Sequence, residues 1–247
     1  MSQLAIIGGT GLTSLKNLNI TRREQVDTPY GAPSNDLIYG ELNGKQVIFL
    51  PRHGANHTLP PHKINYRANI SALKQAGVER IIAVAAVGGI SEGMGPAALS
   101  VPDQLIDYTS GRINTFFEDD LTEVTHIDFT FPYSDTVRQL LLTACQAANV
   151  DVSDKGVYGA TQGPRLETAA EIARMERDGC TVVGMTGMPE AALARELDID
   201  YANLSVVANW AAGKAGDEII TMEEIEQTLK EGMDKVRAVL EQVVIRL

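Results

Sequence analysis

Short, continuous apolar runs alternate along this chain with longer stretches whose apolar positions recur every three or four residues. The runs Gln3–Ile7, Gln46–Leu50, Arg80–Val84, Thr181–Gly184 and Tyr201–Val207 predict strands. Their apolar residues stand side by side, which suits strands covered on both faces. Helix signals fall between them. Lys63–Gln75 predicts a helix that ends at Gly77, and Thr168–Asp178 opens on a capping box, Thr168 with Glu171, and stops at Gly179. Pro189 suits the first turn of a helix running to about Leu197. The last helix opens on a second capping box, Thr221 with Glu224. Its apolar stripe of Ile225, Leu229, Met233, Val236, Leu240 and Val243 steps by four or three residues throughout. This alternation predicts one three-layer α/β domain spanning residues 1–247.

Composition narrows the function more than the fold. The 247 residues suffice for one large core, and no apolar run approaches the ~20 residues that span a bilayer. The first residues carry no basic stretch of the kind that opens a secretory leader. Cys145 and Cys180 are the only cysteines, too few and too far apart for a disulfide framework or a zinc site, and they fit a reducing compartment. A cytoplasmic location is therefore expected. The net charge of −11 opposes a role in binding nucleic acid or an anionic membrane. An anionic substrate would need a local basic pocket.

Two segments offer one. The first predicted strand runs into Gly8-Gly9-Thr10-Gly11, where glycines let backbone amides approach an anion and a threonine hydroxyl adds a donor. A dinucleotide fingerprint would need a helix opening on G-x-G-x-x-G and an acidic residue about 20 positions on, and neither follows here. The second strand is followed by Pro51-Arg52-His53-Gly54. His53, His57 and His62 are three of the four histidines of the chain. An arginine fork beside histidines at a strand end suits phosphate. Metal binding is the rival, but the cluster brings no cysteine and no helical histidine pair.

These segments belong to a longer ordered set. It continues with Asn65-Tyr66-Arg67-Ala68-Asn69-Ile70, Ala85-Ala86-Val87-Gly88-Gly89, Gly163-Pro164-Arg165-Leu166-Glu167-Thr168 and Gly184-Met185-Thr186-Gly187-Met188-Pro189-Glu190. Across essentially its whole length the chain resembles the trimeric purine nucleoside phosphorylase and methylthioadenosine phosphorylase family. The resemblance implies a mixed central sheet flanked by helices, a homotrimer (or a hexamer of two trimers), and no metal or organic cofactor, inorganic phosphate being the co-substrate. It places phosphate against Thr10, Arg52, His53, the Ala86 amide and Thr186. It sets Met185 against the ribose and lends His126 to the 5′ end of a neighbouring subunit's nucleoside. Ala85, Leu166 and Gly187 depart from the family pattern. Ala85 removes a hydroxyl contact to phosphate, and Leu166 replaces the aromatic residue that flanks the base.

Two further positions address the purine. Asn209 and Ala211 stand where methylthioadenosine phosphorylases carry two aspartates, and Glu167 stands where the adenosine branch tends to carry serine. A 6-oxopurine offers a ring N–H at position 1, which Glu167 accepts, and an acceptor at position 6 or 7, to which the Asn209 amide donates. Adenine reverses both edge groups. Alone, Glu167 reads equally as an acid at a helix N-terminus. The sugar depends on Met222, where purine nucleoside phosphorylases place a histidine for the 5′-hydroxyl. A methionine there suits a methylthio group, although a core methionine of an amphipathic helix is the plain alternative. The expected substrate is 5′-methylthioinosine, with Asn209, Glu167 and His53 as the catalytic set and Ala211–Gly216 as a water-excluding lid. The rivals are a methylthioadenosine phosphorylase, a general inosine/guanosine phosphorylase and a silent nucleoside-binding protein.

Overall fold

The run Leu4–Ile7 is buried along its whole length in the computed structural model, as strands covered on both faces require. The structure describes residues 3–15, 17–119, 121–216 and 221–247. Strand β1 (Gln3–Gly8) pairs in parallel with β4 (Lys45–Pro51) on one side and with β5 (Val78–Gly89) on the other. Outside β4 lie β3 (Leu37–Leu42) and β2 (Asn19–Glu24), both antiparallel to their neighbours. Beyond β5 the sheet forks. One branch runs through β10 (Val182–Gly184) and β9 (Val157–Ala160) to β7 (Gln104–Asp107). The other runs through β11 (Asp200–Trp210) and β6 (Leu99–Ser100) to β8 (Val152–Ser153). The expected mixed sheet is thus an eleven-stranded one.

Alternate residues of the central strands feed two cores. Leu4, Ile6, Ile82, Val84, Leu204 and Val206 pack under α2 (Asp135–Ala147) and α5 (Met222–Ile245), and every residue of the predicted α5 stripe joins them. Ala5, Ile7, Ile81, Ala83 and Val207 face α1 (Tyr66–Gln75) and α4 (Gly187–Glu196). Both predicted capping boxes form, at Thr168 before α3 (Ala169–Arg177) and at Thr221 before α5. Among the described residues, no helix is long and apolar enough to cross a membrane.

The helix expected to open at Pro189 does so: α4 is regular only after Met188, whose backbone is extended (φ −121°, ψ 140°). Two departures have plain causes. The helix expected over Lys63–Gln75 begins at Tyr66, because Asn65 caps it by accepting from the Ala68 amide and Pro61–Lys63 form a separate 3-10 turn. Strand β5 runs on to Gly89, because β11 pairs with it from Arg80 to Gly89 and supplies the hydrogen bonds that small Ala and Gly residues do not advertise. Helix α2 and strands β2, β3 and β6 to β9 have no counterpart among the expected elements.

Candidate active site

Strands β4, β1, β5 and β11 are mutually parallel, so their C-terminal ends meet on one edge of the sheet, where open α/β sheets bind ligands. A cleft of about 160 Å³ opens there. Its lining includes Thr10, Arg52, His53, Ala86, Thr186, Leu166, Glu167, Met185, Asn209 and Ala211. Ten expected site residues, far apart in the chain, therefore converge. A larger groove of about 750 Å³ beside the start of α2 contains none of them.

Arg52 brings a fully buried guanidinium to the cleft. Its Nε and Nη2 donate to the two Glu190 oxygens at 2.7 and 2.8 Å, and Nη1 donates to the Val84 carbonyl at 2.9 Å. Burial works against its charge, but the Glu190 carboxylate and its hydrogen bonds outweigh that, and its pKa is raised. Glu190 is fully buried too and also accepts from the Tyr201 hydroxyl at 2.9 Å. Three of the five N–H groups of Arg52 are engaged, which leaves two to present to an anion. Gly9 makes room for this, since a Cβ there would stand 2.9 Å from Arg52 Nη1 and 2.7 Å from the Val84 carbonyl.

His53 Nδ1 lies 2.8 Å from the Leu59 carbonyl, an acceptor, so Nδ1 carries the proton. Burial, followed by the neighbouring Arg52 charge, lowers its pKa to about 4. At neutral pH the ring is then neutral, with Nε2 an acceptor. The His57 ring packs against it at a tilt of 38° with centroids 4.5 Å apart, and its Nε2 lies 3.4 Å from Thr10 Oγ1. Thr186, at the N-cap of α4, makes no side-chain capping bond, so its hydroxyl is not spent on the helix.

The Thr161 hydroxyl donates to Glu167 Oε1 at 2.6 Å and so holds that carboxylate at the cleft. Asn209 is delivered by a bulge, since Val207 and Asn209 pair with consecutive residues of β5 and Ala208 is extra. One Asn209 Nδ2 proton goes to the Trp210 carbonyl at 2.7 Å, leaving the other for a ligand. Leu166 is 44% exposed at the rim. Thr161→Val keeps the shape and removes the donor. It is expected to lower kcat/KM for a 6-oxopurine nucleoside by about tenfold with little change in Tm, as steady-state kinetics and thermal melting will show.

Two expected residues are not in the cleft. Met222 is 66% exposed as the first residue of α5. From this helix it is Ile225 and Leu229, one and two turns further along, that line the cleft, because the buried stripe starts at Ile225. His126 is exposed on the long segment between β7 and α2, away from this chain's own cleft. The expected lid begins as a hydrogen-bonded turn, Lys214 N to Ala211 O at 2.9 Å, tied to α3 by Lys214 and Glu176 at 2.7 Å. Glu190, Thr161, Tyr201 and Arg112 carry weight in the site yet had no expected role. The Gly184–Glu190 motif contained one of them, and no local signal marked the other three.

Residues 3–245 match the phosphorylase superfamily, and the chain belongs to it. The enzyme class and fold expected from the sequence hold. The chain is 60% identical over 244 residues, 99% of each protein, to a probable S-methyl-5′-thioinosine phosphorylase of Pseudomonas syringae pv. tomato. It is 43% identical to a 6-oxopurine nucleoside phosphorylase of Pyrococcus furiosus, covering 97% of this chain and 91% of that one. A methylthioadenosine phosphorylase of Schistosoma mansoni in complex with adenine superposes with a TM-score of 0.95 at 30% identity, over 99% of this chain and 91% of that one.

Proposed function

We propose that the protein cleaves 5′-methylthioinosine with inorganic phosphate, giving hypoxanthine and 5-methylthioribose 1-phosphate. The observation that carries this reading is that one cleft is lined both by a buried arginine with unspent N–H groups and by Glu167 and Asn209. Phosphate lies against Thr10, Arg52, His53, the Ala86 amide and Thr186, with its remaining proton on the oxygen facing His53 Nε2. The sugar packs on Met185. As the glycosidic bond lengthens, positive charge grows on the sugar beside the phosphate, and negative charge grows on the leaving purine. Glu167 accepts from the ring N–H and Asn209 donates to position 7 or the 6-oxygen, contacts that strengthen as the base departs.

The apolar 5′ wall of Ile225 and Leu229 offers no partner to a hydroxyl, which favours a methylthio group over inosine's own 5′ end. His126, exposed on its long segment, is assigned to the 5′ end of a neighbouring subunit's site in a homotrimer. A cytoplasmic location and the absence of any metal or organic cofactor complete the reading. The relatives named for methylthioinosine and for 6-oxopurine nucleosides support it.

The direct test is base release from methylthioinosine, inosine and methylthioadenosine, each with and without phosphate. Methylthioinosine is expected to be preferred, with release that stops when phosphate is withdrawn. Equal or better cleavage of methylthioadenosine would overturn the base assignment, and release independent of phosphate would overturn the phosphorylase assignment.

A further inference from the structure

We infer that Arg112 is a positioning residue, a single guanidinium that sets the loop bearing Met185 and Thr186 against the loop bearing Glu167. It does not line the cleft. Its Nη1 donates to the Met185 carbonyl at 2.8 Å and the Met188 carbonyl at 2.6 Å. Its Nη2 donates to the Gln162 and Thr161 carbonyls at 2.8 and 3.2 Å, and its Nε to Gln162 Oε1 at 3.0 Å. The Tyr66 hydroxyl, which gives its own proton to the Pro61 carbonyl at 2.9 Å, lies 3.3 Å from Nη1 and supports the group from below.

The targets are what give this clamp its function. Residues 161–168 connect β9 to α3, and residues 185–186 connect β10 to α4. The last backbone bond between the two connections, Thr161 N to Gly184 O at 2.8 Å, lies at the ends of the strands. Beyond it one loop carries the sugar- and phosphate-facing Met185 and Thr186, and the other carries Glu167. The extended backbone of Met188 turns its carbonyl out of the helical ladder and toward Arg112. Arg112 therefore bridges the loop that carries the Glu167 carboxylate and the loop that carries the Thr186 hydroxyl. Arg112 is held in turn by its own segment. Glu196 accepts from Thr115 Oγ1 at 2.6 Å and from the Phe116 amide at 2.7 Å.

Only a planar fork reaches acceptors on both loops at once. A lysine keeps the charge but is a point donor on a flexible stem. Arg112→Lys and Arg112→Met are therefore compared with the parent protein by thermal melting, by titration with inorganic phosphate, and by kcat and KM for phosphate and for methylthioinosine. Arg112→Met is expected to lower kcat by about 100-fold and weaken phosphate binding by about tenfold while still melting cooperatively, since ångström-scale misplacement costs of that order. Arg112→Lys should recover part of both.

The inference is overturned if both variants keep phosphate affinity, kcat and KM within about twofold of the parent, or if lost activity matches the unfolded fraction with unchanged KM. Should Arg112→Met fail to fold, Arg112→Lys decides by the same criteria. The kinetic arm rests on the phosphorylase reading. If the parent binds phosphate but releases no base, that reading has failed, and the phosphate titrations still decide the role of Arg112. A parent that binds no phosphate overturns both.

Discussion

Glu190→Ala is expected to destabilise the fold by about 3–5 kcal/mol and to weaken phosphate binding severely, because it strands the Arg52 charge in the interior. Arg52 and Glu190 are 1% and 0% exposed, and their bidentate contact is the compensation that lets a guanidinium sit there. Arg52 cannot escape by losing its proton, since arginine stays charged at any ordinary pH. Without Glu190 the guanidinium must turn toward water or draw water in, and either movement takes its two remaining N–H groups away from the cleft. The same deletion removes the acceptor of the Tyr201 hydroxyl, adding a second unpaired buried group. Urea unfolding and phosphate titration of the variant measure the two effects separately. A double variant, Arg52→Met with Glu190→Met, separates them further. It should regain much of the lost stability, because no charge is left buried, and it should still fail to bind phosphate. A stability change below about 1 kcal/mol in Glu190→Ala would mean that the ion pair is not what holds this end of the site.

The second large effect concerns the base. Asn209→Asp combined with Glu167→Ser is expected to reverse the purine preference. The ratio of kcat/KM for methylthioinosine over that for methylthioadenosine should fall by roughly 100-fold or more. In the parent, Glu167 is an acceptor supported by Thr161, and Asn209 presents its one uncommitted N–H. Adenine meets them with a lone pair at position 1 and an amine at position 6, so one acceptor faces an acceptor and one donor faces a donor. Aspartate at 209 accepts from the amine, and serine at 167 removes the carboxylate that repels the lone pair. A ratio unchanged in the double variant would show that these two side chains do not read the base. The phosphate end, lying across the cleft, should keep its affinity in either case.

Much of this site was legible in the sequence because each piece sits in a short motif whose backbone context is local. Gly8–Gly11 after an apolar run, Arg52-His53 at a strand end and Thr186 before Pro189 could all be placed without knowing the fold. The capping boxes at Thr168 and Thr221 fixed two helix starts in the same way, since a cap is satisfied within three residues. The Met222 expectation shows the limit. Met222 stands exposed at the first turn of α5, and which turns of that helix line the cleft, those of Ile225 and Leu229, depends on how α5 lies across the sheet. The tautomer of His53 was likewise not legible, because the Leu59 carbonyl that fixes it arrives from a loop.

The sequence by itself determined the α/β class, the apolar strands that carry the cleft at their ends, and the residue types that meet there. Hydrophobic period, capping and turn chemistry act over a few residues and are written locally. Only the tertiary structure decided that Glu190 neutralises Arg52 across 138 positions, that Thr161 supports Glu167, and that Arg112 joins the two loops of the site. A buried charge or an unspent carbonyl must be satisfied by whatever group the fold brings within about 3 Å, and distance along the chain says nothing about which group that will be.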